Sequence, residues 1–217
     1  MLPFTRDAFI AVFASYNEAT WPVQVLAYGI GASLAALLFR PTETAGRLIA
    51  GGLSLMWLWT GIAYHAIFFS PINEAAYGFA VLFVAEAAML VYVGVIRGRL
   101  RFGLPRDAAG WLGAALIFYA ALLYPVIGVA TGHHYPQMPM FGTTPCPVVL
   151  FTFGMLLLAR SPVTAWLLIV PFGWSLIGGS AAILLSIAQD WVLLLSGAAS
   201  VPLILLANRA GHTKGMI

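Results

Sequence analysis

The sequence predicts an all-α fold: a polytopic membrane helix bundle with seven transmembrane helices, N-terminus outside and C-terminus inside, preceded by a short amphipathic helix. Two observations predict it. Of the 217 residues, 62% are hydrophobic and 8% charged. Soluble domains carry about 25% charged residues, so charge here is too scarce to cover a surface in water. The second observation is where the charge falls. Nine of the ten Lys and Arg residues sit in every second gap between the apolar stretches, the bias that holds basic helix ends on the cytoplasmic side. The net charge of +3 is dispersed over helix ends, and no nucleic-acid partner is expected. The bilayer itself is the expected partner, together with other membrane proteins.

The elements follow in order. Residues 1–20 contain Arg6, Asp7, Asn17 and Glu18 and lack an unbroken apolar core, so no cleavable signal peptide is expected. Thr5 is placed to cap a helix on which Phe9, Val12, Phe13 and Tyr16 share one face. That segment, 1–20, reads as an amphipathic helix on the outer face, either lying in the membrane surface or packed over the bundle's mouth. Crossing about 30 Å of hydrocarbon takes roughly 20 residues. Spans are placed near 21–39, 48–69, 74–96, 108–131, 148–159, 163–185 and 191–207, within a transmembrane domain 21–209 that precedes a cytoplasmic tail, 210–217. Arg40 and Arg47 follow the first span. Arg97, Arg99, Arg101 and Arg106 follow the third, Arg160 the fifth, and Arg209 with Lys214 the seventh. The gaps after spans two, four and six hold no Lys or Arg, and Arg6 is the exception to the pattern. The fifth stretch has 12 residues, too few to cross unaided. Either residues 141–147 dip into the membrane above it or the bilayer thins. Pro125, Pro171 and Pro202 interrupt three spans, and Gly31, Ala35, Gly178, Gly179 and Ala182 permit close helix contact.

Chemistry-bearing residues gather on the predicted outer face. The longest outer loop, GHHYPQMPMFGTTPCP (132–147), holds His133, His134, Met138, Met140 and Cys146, stiffened by four prolines. Imidazole, thioether and thiolate are soft ligands, so copper or zinc is the candidate metal, although the spacing fits no established metal motif. The other reading is a rigid plug on the bundle's end. His65 lies roughly 6 Å below the outer boundary at 1.5 Å per residue. Glu74 opens the third span on the same side, and Asp190 precedes the seventh. A haem held by His65 and His133 or His134 is a further candidate cofactor. Glu86 falls roughly 18 Å into the third span, near mid-membrane. A carboxylate there costs about 2.5 kcal/mol or more and should face inward. Ser33, Trp57, Tyr119 and Trp174 share its depth, which makes Glu86 with Tyr119 the candidate buried relay. His65, about 12 Å higher, should not pair with it.

Several activities are excluded. Lys214, the lone lysine, lies in the tail, so no retinal Schiff base forms within the bundle. No Gly-rich phosphate loop, no Ser nucleophile elbow and no His-Glu-x-x-His motif is present. No catalytic motif assigns an enzyme activity.

The N-terminal run LPFTRDAFIAVFASYN and the loop run GHHYPQMPMFGTTPCPVVLFTFGMLLL resemble those of a bacterial inner-membrane family known as a domain of unknown function. The resemblance implies a bacterial inner membrane, with the outer face periplasmic in a two-membrane host, and carries no activity, cofactor or site residue. The expected function is transport or sensing of a small solute or metal cation at the outer face. The alternative is a non-catalytic accessory subunit of a membrane complex.

Overall fold

The structure, a computed structural model, describes residues 3–185 and 187–214. The last three residues of the predicted tail, 215–217, lie outside the described residues. The fold is all-α. Helix α1 is Arg6–Thr20 and α2 is Val23–Leu37. Helices α3 (Glu43–Phe69), α4 (Ala76–Ile96), α5 (Ala108–Ala130) and α7 (Ala165–Leu185) are long and apolar enough to cross a membrane, as is the Trp191–Ala210 part of α8 (Trp191–Lys214). Helix α6 (Pro145–Leu157) is apolar but shorter.

From α2 onward successive helices alternate in direction. One end of the bundle gathers Arg40, Arg97, Arg101, Arg106 and Arg160 and is here called the arginine end. The other carries residues 131–144 and is called the loop end. The ends are tied by backbone contacts across distant sequence. At the arginine end Phe102 and Ala159 form an isolated antiparallel bridge, and Arg160 N–H donates to the Arg101 carbonyl.

Helix α6 is the axis of the fold. Its residues from Val148 to Leu157 are all buried, and α3, α5, α7 and α8 pack around it. An apolar helix buried on every face is a core helix rather than an amphipathic one. The predicted fifth span, 148–159, is therefore shifted. The helix begins three residues earlier, at Pro145, and Phe141 to Thr144 continue it as buried irregular chain. Thr144 and Thr143 lie against the Met140 carbonyl, so backbone that leaves the helix still finds partners. Close packing needs glycine where α5 crosses α6. A Cβ on Gly113 would stand 2.7 Å from the Gly154 carbonyl oxygen, and one on Gly154 would stand 2.7 Å from the Gly113 oxygen.

The predicted first span, 21–39, is a helix of 15 residues, bent 86° from α1. Thr5 caps α1 by accepting from Ala8 N–H, as expected from its side chain. Of the two predicted placements for α1, the structure has the packed one. Val12, Phe13 and Tyr16 are buried against Tyr64, Phe69 and Ala76. Asn17, fully buried, donates to the Pro136 and Met138 carbonyls at 2.7 Å each, and Tyr16 donates to the Thr143 carbonyl at 2.8 Å. Helix α1 is thus a strap across the loop end.

Candidate functional site

A cavity of about 250 Å³ lies beneath that strap. Seven aromatic residues line it, Phe4 ahead of α1, Phe9 and Phe13 from α1, Tyr64 and Phe69 from α3, Phe79 from α4 and Trp174 from α7, with Ile177, Leu184 and Ile187 among the aliphatic remainder. Neighbouring rings are in contact, with centroids 5.7 Å apart for Phe13 and Tyr64, 5.7 Å for Tyr64 and Phe69, and 5.2 Å for Phe79 and Trp174. The part of α3 that supplies two of them, Thr60–Phe69, is π-helical. A π turn carries an extra residue and re-aims the side chains beyond it, and such turns concentrate at functional sites. Here Ala63, Tyr64, His65 and Phe69 are all buried, which a regular amphipathic helix would not achieve on one stripe.

One carboxylate closes the apolar wall. Asp190 lines the cavity and is 4% exposed. It sits on the short turn Ala188–Asp190 that leads into α8. The Tyr124 hydroxyl donates to its Oδ1, and the Cys146 thiol donates to the same carboxyl. Burial pushes Asp190 up to about 6, and those two donors hold it from rising further. Among the described residues no Lys, Arg or His pairs with it. Burying a carboxylate away from water is costly unless it is hydrogen-bonded, and Tyr124 supplies that bond here.

Behind the chamber stands His65. It is fully buried, and both ring nitrogens lack a hydrogen-bond partner among the described residues. Aromatic rings surround it, with Phe83 at 4.6 Å and Trp174 at 4.9 Å between centroids. The Trp174 indole N–H is likewise without a partner. Glu86 is fully buried one turn beyond Phe83, on the inward stripe that also carries Ala80, Ala87 and Leu90. Both its carboxyl oxygens are unpartnered among the described residues. Phe83 packs on His65 from one side and on Trp57, at 4.4 Å, from the other. His65 and Glu86 make no hydrogen bond to each other. Tyr119, expected beside Glu86, turns away from it: its hydroxyl donates to the Gln189 carbonyl at 2.8 Å, next to Asp190. The predicted relay pair makes no hydrogen bond, since the Tyr119 hydroxyl is spent on Gln189 and both Glu86 oxygens are without a partner among the described residues.

The eight predicted metal ligands do not converge. Among the described residues no three His, Cys, Asp or Glu side chains are grouped closely enough to hold a metal ion. Cys146 and Asp190 meet. His65 is walled in by rings. His133 is buried, and its Nε2 lies 3.1 Å from Arg6 Nη2, so the ring's free lone pair is taken by a cation. Burial, Arg6 and His134 all push His133 below the ordinary imidazole range. His134 and Glu74 are exposed, Met138 is buried and Met140 half-buried. Sequence reasoning missed Tyr124 altogether, placed Trp174 by depth alone and read Phe9 and Phe13 only as an apolar face of α1. Nothing distinguishes Tyr124 from other aromatic residues in a span until the fold places it on Asp190.

The class follows from these elements: an all-α bundle, several of whose helices are apolar and long enough to span a membrane, with a strapped aromatic chamber at one end. Within that class the chain belongs to the Family of unknown function (DUF6064), whose pattern it matches over residues 6–214. No curated protein and no solved structure matches it.

Proposed function

We propose that this is a bacterial inner-membrane protein of seven spans, N-terminus outside, that captures a small lipophilic organic cation at its outer face for transport or sensing. The supporting observation is Asp190: a buried carboxyl without a cationic partner among the described residues, lining a cavity with seven aromatic rings. Ring faces attract cations, by about 2 kcal/mol or more where water is excluded. A carboxylate adds the charge that rings lack. A metal ion is less well matched, since a hard or soft ion needs several convergent ligands and an apolar wall offers one carboxyl and one thiol. The alternation of α2 to α8, with arginines at one end, supports the seven-span topology.

Binding of phenyltrimethylammonium, followed by calorimetry on the detergent-purified chain, tests the reading. Saturable binding that weakens at least about tenfold in Asp190→Asn is expected, since one desolvated ion contact carries roughly 1.4 kcal/mol or more. Equal binding by both proteins, or none by either, ends the proposal.

A second reading, the accessory subunit, draws on a broad apolar groove between α2 and α3, where Gly29 and Gly51 leave room beside Leu26, Ile30 and Leu55. Small residues let a neighbouring helix approach closely. Isolation in mild detergent separates the two readings, because an accessory subunit brings a stoichiometric partner with it.

A further inference from the structure

The arginine end carries a second arrangement that the chamber does not use. Arg160 follows α6, and its guanidinium lies across Gly103, where a Cβ would collide with it. Its Nη2 donates to the Leu104 carbonyl at 3.0 Å, and its own N–H donates to the Arg101 carbonyl at 2.7 Å. The side chain is therefore held in place rather than waving in solvent. Arg106 stands close enough for its charge to bear on Arg160. Desolvation and that charge both pull Arg160 below the ordinary guanidinium range. Among the described residues neither arginine has a carboxylate partner. The acid nearest them, Asp107, is committed to its own helix: its Oδ1 accepts from Gly110 N–H at 2.7 Å.

Both arginines line a cleft of about 220 Å³, which adjoins another of about 160 Å³. The two share Asp107, Leu157, Ala159 and Arg160. Beyond Arg160 the second cleft turns apolar, with Leu156 from α6 and Leu203, Ile204 and Ala207 from α8. A paired cationic head site thus opens into an apolar channel at the end of helices that are long enough to span a membrane. We infer that this is a binding site for an anionic membrane lipid, whose phosphate rests between Arg106 and Arg160 and whose acyl chain enters the cleft between α6 and α8. Phosphate supplies the acceptor geometry that paired guanidinium groups match. Basic pockets between helices on the cytoplasmic side are where such headgroups are held.

The test uses the full chain in nanodiscs of phosphatidylcholine with and without phosphatidylglycerol. Lipid retained on the protein after release is read by native mass spectrometry. Phosphatidylglycerol retained on the wild-type chain and lost from Arg106→Gln/Arg160→Gln is expected. About 1 kcal/mol per basic residue gives a loss near thirtyfold for the pair. Arg106→Gln alone, an exposed change that breaks no internal hydrogen bond, should lose about fivefold. That variant keeps the test informative if the double substitution does not fold. Arg97→Gln/Arg99→Gln removes the same charge from the same end and should retain the lipid. Equal loss in that control would reduce the effect to surface charge and overturn the site. So would equal retention by every variant. Displacement of the bound lipid by inorganic phosphate alone would show a free-anion site rather than a lipid site, and overturn it as well.

Discussion

Asp190 illustrates how a single residue can be visible in a sequence and still be misread. Its position before an apolar stretch marks it as an acid at the outer boundary, grouped with histidines, methionines and Cys146. The fold keeps Cys146 beside it but replaces the histidines with Tyr124, under a strap of phenylalanines. Hydropathy reports how deep a residue lies but not which way it faces, and the rotation of α5 and α8 about their axes decides that. The sign of its titration gives a prediction. Its carboxyl, ordinarily near 3.8, is pushed up to about 6 in the folded chain, so the folded protein holds that proton more tightly than the unfolded one. The stability this lends is fully present below about pH 4 and is lost as pH rises through about 6. Thermal unfolding between about pH 4 and pH 8 should show that loss, and Asp190→Asn should flatten it. Cation binding needs the carboxylate and should therefore grow over the same interval, so the two pH profiles slope in opposite directions.

At the scale of the element, five apolar helices were legible from length and composition, because a long apolar stretch has few other structures open to it. What escaped were the interruptions. The π-helical runs Thr60–Phe69, Val91–Ile96 and Tyr119–Leu123 leave no mark in hydropathy. The 86° bend between α1 and α2 falls at Trp21–Pro22, where proline disfavours continuing a helix but does not say by what angle the chain turns. Glycine spacing was legible at Gly179, where an added Cβ would stand 2.8 Å from Leu194 Cβ between α7 and α8, whereas the α5–α6 crossing uses Gly113 and Gly154, which that reading did not single out. The crossing predicts that Gly154→Ala destabilises the bundle by about 1–3 kcal/mol, the cost of an added methyl in a packed core. A Cβ there meets Ile117 N at 3.0 Å as well as the Gly113 carbonyl, so backbone rather than a yielding side chain has to move. Gly173→Ala, where nothing lies within 4 Å, is the matched control and should unfold as the wild type does.

For the molecule as a whole, the charge pattern conveyed the alternation of helices, and the structure keeps it: residues 97–106 and 158–163 do meet at one end, bound by the Phe102–Ala159 bridge. The candidate site was legible only in its address, the loop end, since Phe9, Tyr64, Phe79 and Trp174 come from four different helices that no local pattern connects. The two ends divide the molecule by charge. The arginine end is basic with Glu43 bridging Arg47 and Arg101, while Asp190 at the other end has no cationic partner among the described residues. Reporter fusions at residue 72 and residue 103 should accordingly fall on opposite sides of the membrane. The same side for both would break the topology on which the binding proposal rests.

The burial of α6 also bears on how the chain is made. Thirteen residues are too few to leave the translocation channel as an independent span. Two of the helices that enclose α6, α7 and α8, are synthesised after it. This segment has to wait, partly inserted, until its later neighbours emerge. A chain stopped after Arg160 should leave residues 145–157 unintegrated, and glycosylation sites placed on either side of them would report that stalled state. On the proposed topology, the centre of the molecule is expected to be among the last parts to reach its place.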